Sequence, residues 1–368
     1  MSISPPAIYR NPILARIGGS ASSVVLGALP YKGADWSSVL VEEAAGKQYK
    51  NSAGSVQPLE SILKASGVNT VRQRVWVNPS DGNYNLDYNI KLGRRAKAAG
   101  LVVALTLHYS DSWADPGKQV TPAAWRSLSK DALVAKVYDY TKNVINTFQS
   151  NGVPLSIVSI GNEITPGLLF PVGQLSGNSQ AAAANVAALL KSASKAIKES
   201  SMSPKPKIMI HLDNGWDGSR QQWWYDLVLG SGGGLSLADF DVQGVSYYPF
   251  YSASATLAAL QSSINAMASK YGKEVMVVET NWPSWCPNPK YPFPADTKSI
   301  PISVDGQVTW MKEVAKRVAA VPGGKGTGLF YWEPAWIDNA SLGSSCGWNV
   351  MFGDDGKAMS SLPVFASI

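Results

Sequence analysis

Two glutamates stand where apolar sequence gives way to polar sequence. Glu163 closes Ser159-Ile160-Gly161-Asn162-Glu163, and Glu279 follows Val277-Val278 and precedes Thr280-Asn281-Trp282. Two carboxylates facing each other across a cleft can split a glycosidic bond. One protonates the leaving oxygen, and the other attacks the anomeric carbon or activates water. The two tasks need opposite settings. A proton donor must hold its proton, which a raised pKa achieves. A nucleophile must stay ionised, which a neighbouring guanidinium favours. Arg72 and Arg74 lie two apart in Thr70-Val71-Arg72-Gln73-Arg74-Val75-Trp76. On a strand they share one face, so both can enter the same opening.

Elements that could hold these groups run along the whole chain. Apolar, β-branched runs fall at Tyr31 to Trp36, Thr70 to Trp76, Leu101 to His108, Ser156 to Ile160, Lys207 to His211, Val242 to Tyr248, Glu274 to Glu279 and Gly328 to Trp332. Helical patterns separate them at Asp87 to Ala99, Asp131 to Gln149, Gln180 to Glu199, Thr256 to Tyr271 and Gly306 to Val318. Near-continuous apolar strands alternating with helices predict a parallel sheet covered on its outer face. The count and length fit an α/β fold, a single (β/α)₈ TIM barrel over residues 30–368. The alternative is a doubly wound open sheet, but the glycine-rich phosphate turn expected after its first strand is absent.

In such a barrel the site forms at the carboxyl ends of the strands. Those ends are polar and aromatic: Arg72 and Arg74; His108, Tyr109 and Asp111; Asn162 and Glu163; His211, Asp213 and Asn214; Tyr247 and Tyr248; Glu279 and Asn281; Trp332 and Glu333. One such residue alone reads as a cap or a surface ion pair. Charges gathered at one end of a barrel read as a site, because burying them elsewhere is costly. Candidate sugar contacts are Arg72, Arg74, His108, Asn162, His211, Asp213, Asn214, Tyr247 and Asn281, with Trp113, Trp282, Trp332 and Trp336 as walls whose other role is packing. Glu333 competes for a catalytic role, but strand parity sends it away from the side that Trp332 takes.

Composition narrows the class. Of 368 residues, 45% are hydrophobic and 16% charged, which suits a folded chain with a large core. The formal net charge is +6, yet the basic residues are scattered and do not interleave with aromatics, so nucleic acid is not an expected partner. No run of 18 apolar residues exists to span a membrane. The two histidines lie far in sequence from the two cysteines, Cys286 and Cys346, so neither metal nor cofactor is expected. The cysteines read as one disulfide in an exported protein or as two thiols otherwise. No nucleophile elbow is present. Residues 1–29 read as a degenerate signal peptide or a disordered leader, and Asn339-Ala340-Ser341 is a glycosylation acceptor triplet.

The chain resembles glycoside hydrolase family 53, the endo-β-1,4-galactanases, and fungal members above all. The likeness rests on Gly33-Ala34-Asp35-Trp36-Ser37-Ser38, Val71 to Val77, His108-Tyr109-Ser110-Asp111-Ser112-Trp113-Ala114-Asp115-Pro116, Ile160 to Ile164, Gly244 to Pro249, Val278 to Pro283 and Phe330 to Trp336. It runs in order from Tyr31 to the C-terminus. The resemblance implies a retaining (β/α)₈ enzyme acting on the β-1,4-galactan of type I arabinogalactan, the side chains of pectin. It implies Glu163 as acid/base and Glu279 as nucleophile, and it adds Asp115 to the sugar contacts. Bacterial relatives carry calcium after strand seven; here a disulfide joining Cys286 to Cys346 is implied instead, with secretion. The chain departs from the family pattern at Thr106, where an aspartate is usual. Retention predicts carboxyl groups about 5–5.5 Å apart. A monomer is expected. The rival expectations are a β-glycanase on another polysaccharide and a glycan-binding barrel with little or no activity.

Overall fold

The computed structural model describes residues 28–368. The leader reading of residues 1–29 therefore falls outside the described residues, apart from its last two positions. Eight parallel strands close into a barrel: Tyr31–Asp35, Thr70–Val75, Val102–Leu107, Leu155–Ser159, Lys207–Leu212, Val242–Ser246, Glu274–Glu279 and Gly326–Tyr331. Each pairs with its neighbours in sequence, and the eighth closes on the first through Tyr31 opposite Gly328. The open doubly wound sheet is thereby excluded.

Seven of the expected strands and all five expected helices differ from the observed ones by a few residues at the ends, as fraying and capping produce. Three α-helices escape periodicity: Val39–Ala44 and Leu59–Ala65 are short, and Gly218–Leu229 is crowded with Trp223, Trp224 and Tyr225 rather than striped. Polar caps start the long helices, with Asn85, Ser129 and Ser179 each accepting a backbone N–H two or three residues into the helix. A small hairpin, Gly167–Leu168 with Gly173–Gln174, projects from the loop after the fourth strand.

Strand alternation splits the core in two. Val71, Leu105, Val158, Ile210, Val245, Val277 and Leu329 face outward and pack under the helices. Ala104, Ile157, Met209, Val242, Met276, Val278 and Phe330 fill the lower barrel. Gly33 is required there: a Cβ on it would lie 2.0 Å from the Phe330 ring. This plug leaves only the upper mouth open, which is where the polar inward residues collect.

Candidate active site

A cleft of about 620 Å³ opens at the carboxyl ends of the strands, and both Glu163 and Glu279 line it. The fourth strand ends at Ser159, and Gly161 turns the chain at φ +122°. Glu163 then adopts φ +50°, an uncommon conformation for a side chain with a Cβ, so that Asn162 and Glu163 both face the cleft. The seventh strand reaches the same end differently. Pairing with the sixth strand skips from Val245–Val277 to Ser246–Glu279. This irregularity lets Val278 fill the lower barrel while the adjacent Glu279 still enters the mouth, which regular alternation would forbid.

The two carboxylates have different surroundings. Arg72, buried, sends Nη1 to Glu279 Oε1 at 2.9 Å and to Asp35 Oδ2 at 2.9 Å. Its Nη2 donates to Asn162 Oδ1 at 2.8 Å and its Nε to Thr106 Oγ1 at 3.1 Å. The Tyr248 hydroxyl donates to Glu279 Oε2 at 2.9 Å. Burial pushes Glu279 above the usual carboxylate range, while Arg72 and Tyr248 draw it back. Glu163 is pushed well above that range, first by burial, then by the charges of Glu279 and Asp213. Both carboxyls are thus raised by burial, Glu163 the further, and Glu279 is drawn back by its contacts with Arg72 and Tyr248.

Asn162 is fixed by its neighbours. Its Oδ1 accepts from Arg72 and lies 3.1 Å from His211 Nδ1, and its Nδ2 donates to Ala114 O at 2.9 Å. The second Nδ2 hydrogen is left for a ligand. His211 Nε2 meets Ser246 Oγ at 2.9 Å, and His108 Nδ1 accepts from the Trp76 indole and the Ala114 amide, each at 3.2 Å. Burial, then the nearby arginines, hold both imidazoles well below their ordinary pKa, so both are neutral.

Arg74 lines the cleft, but its guanidinium is already engaged. Nη1 pairs with Glu333 and Nη2 donates to Ser38 Oγ at 2.8 Å, while its flat faces lie 4.3 Å from the rings of Tyr84 and Trp113. Trp113 stacks on Trp336 at 6.1 Å and meets Trp332 edge-on. These rings form one wall. Asp115, Asp213, Asn214 and Asn281 also line the cleft. Glu333 does not line the cleft: it lies past the end of the eighth strand at φ +44°, is 1% exposed and turns its carboxylate to Arg74 and Ser38, so strand parity does not govern it.

Three expected sugar contacts are corrected. His211 lies fully buried behind the cleft, with both ring nitrogens taken by Asn162 and Ser246, so it braces those side chains instead. Tyr247 points outward from the sixth strand, stacks on Trp310 and donates to Ala255 O at 2.9 Å. Gly244, Ser246 and Tyr248 take the inward positions, so Tyr248 holds the place assigned to Tyr247. Trp282 is buried behind the cleft, stacked 5.0 Å from Trp310 with its indole N–H on Pro301 O. Sequence reasoning passed over Asp35 as a site residue, although it ends the first strand and the strand-end rule applied there would have reached it. Tyr251 and Phe250 lie in the loop beyond the sixth strand, where no periodicity points to the cleft. Asn339 is half-buried on the rim, so a glycan there would stand over the opening. Cys286 and Cys346 are joined and link the loops after the seventh and eighth strands.

Glycosyl hydrolase family 53 matches residues 31–365. An arabinogalactan endo-beta-1,4-galactanase of Thermothelomyces thermophilus is 60% identical over 93% of this chain and 100% of its own. One from Aspergillus niger is 52% identical over 93% and 95%. Among solved structures, a fungal beta-1,4-galactanase superposes with a TM-score of 0.89 at 60% identity, over 93% of this chain and 100% of that one. The GH53 catalytic domain from Ignisphaera aggregans gives 0.79 at 30% identity, over 93% and 98%.

Proposed function

The chain belongs to glycosyl hydrolase family 53, and from that premise we propose that it hydrolyses internal β-1,4-galactosidic bonds of galactan with retention at the anomeric carbon. The observation that carries this reading is the pairing of Glu163 and Glu279 in one cleft, with Arg72 and Tyr248 bonded to Glu279 alone of the two. Glu279 attacks the anomeric carbon, and Glu163 passes its proton to the leaving glycosidic oxygen. A glycosyl-enzyme ester forms. Glu163, now ionised, takes a proton from water, and that water displaces Glu279 at the same carbon. Arg72 and Tyr248 keep Glu279 in its nucleophilic form. The free Nδ2–H of Asn162 is aimed to hold the sugar hydroxyl beside the cleaved bond. Neutral His108 lines the cleft without adding charge, His211 holds Asn162 and Ser246 from behind, and Trp113, Trp332 and Trp336 offer π-faces to sugar rings.

The partner is a polysaccharide, no cofactor enters the chemistry, and the chain acts as a monomer outside the cell. Export is supported by the Cys286–Cys346 bond, since such bonds persist in oxidising surroundings. No helix among the described residues is long and apolar enough to cross a membrane.

Two measurements test this reading. Glu279→Gln should bring galactan cleavage to background while binding persists, and Glu163→Gln should slow it about 10²–10⁴-fold. Proton NMR during early turnover should show the β-anomer first; an α-anomer, or a better rate on mannan, xylan or cellulose, would reject the mechanism or the substrate respectively.

A further inference from the structure

We propose that Trp285 is a sugar-stacking platform outside the cleft, which binds a further unit of a long galactan chain. The inference rests on the substrate reading above and extends it to chain length. Trp285 is 61% exposed and is the sole tryptophan among the large exposed apolar side chains of the described residues. Exposure of one indole is not unusual by itself; how the ring is held is what marks it.

The ring is exposed yet held. Trp285 forms an antiparallel bridge with Trp348, in which Gly347 N donates to Trp285 O at 3.1 Å and Ser284 N to Trp348 O at 2.8 Å. The next residue, Cys286, is bonded to Cys346 on the same partner segment. A Cβ on Gly347 would lie 2.2 Å from the indole, so the ring is seated against the bare backbone of that glycine. Presenting a surface in its binding conformation reduces the ordering cost of association.

The platform continues the cleft wall. Cys286 and Cys346 pack with Phe250, Tyr248 and Phe293, and the first two of these aromatics line the cleft. Tyr251, 44% exposed, also lines it, and Leu342 and Gly343 reach it from the loop that leads to Cys346. Galactopyranose suits such a surface. Its axial 4-hydroxyl projects to one side, which gathers several weakly positive C–H groups on the other, and these meet the negative face of an indole. A protein partner is disfavoured, since a stable interface needs about 800 Å² a side. In the segment 284–291 that carries Trp285, the one other large exposed apolar side chain is Tyr291, among Ser284, Pro287, Asn288, Pro289 and Lys290.

The test is Trp285→Ala and Trp285→Phe, assayed on galacto-oligosaccharides of increasing length and on polymeric galactan, with thermal midpoints measured alongside. Trp285→Ala should raise KM for the polymer and longer oligosaccharides roughly three- to tenfold. The kcat, the constants for the shortest substrates and the midpoint should stay as in the wild type, and Trp285→Phe should restore most of the loss. An active wild type whose Trp285→Ala variant changes equally at every length, or at none, overturns the platform alone. A wild type inactive on galactan overturns the substrate reading, and the platform with it.

Discussion

The guanidinium of Arg72 touches four side chains at once, and only two of them, Asp35 and Glu279, are carboxylates; Asn162 and Thr106 are neutral. One cation therefore neutralises part of two buried negative charges, and Thr106 adds none. A third carboxylate there would raise the pKa of Glu279 and Glu163 by like-charge repulsion. The acid limb of kcat/KM requires Glu279 to lose its proton, and the alkaline limb requires Glu163 to keep its own. Thr106→Asp should therefore move both limbs to higher pH, as macroscopic values of the coupled pair. A pH–rate profile checks this, and a shift to lower pH would reject it. At this scale the sequence showed which residue types converge, because strand parity is local. It misassigned Tyr247 for Tyr248 because choosing between adjacent residues needs the true register, and it placed Trp282 in the cleft because nothing local shows the loop folding back under Trp310.

The elements around the site differ in what holds them. The strands are fixed by a closed ladder, whereas the long loops after the seventh and eighth strands carry little regular structure. The Cys286–Cys346 bond ties those two loops across 60 residues of sequence and backs Phe250 and Tyr248. Replacing both cysteines by serine should cost about 2–4 kcal/mol of stability. KM for galactan should rise as well, because the cleft wall loses its support; calorimetry and steady-state kinetics check the two effects separately. An unchanged KM would mean that the loops hold their shape without the bond. The irregular pairing beside Glu279 belongs to this scale too. Alternation in the sequence puts Val278 and Glu279 on opposite faces, and only the ladder with the sixth strand reveals the skipped residue that brings both inside.

Over the whole molecule the net charge is +6 and the isoelectric point about 9.1, while the proposed substrate is neutral. Scattered positive charge gives a long-range attraction to anionic polymers that salt screens, with a Debye length of about 10 Å at 0.1 M. The protein should be retained on polygalacturonate at low ionic strength and released by added salt, with turnover of soluble galactan little changed; co-sedimentation and activity across a salt series test this. Salt-independent retention would point to specific binding instead. By itself, the sequence determined alternating strands and helices and the strand ends at which polar groups gather. Strand and helix periods and the polar strand ends are set by neighbours within a few positions, whereas closure of the sheet and its apolar plug show only in the pairing of the eighth strand with the first and in the packing inside. The tertiary structure decided which carboxylate Arg72 meets, which tyrosine joins it and that Arg74 braces an aromatic wall. Those outcomes depend on groups such as Asp35 and Glu333, distant in the chain, meeting in a dry interior where a few ångströms set the charge.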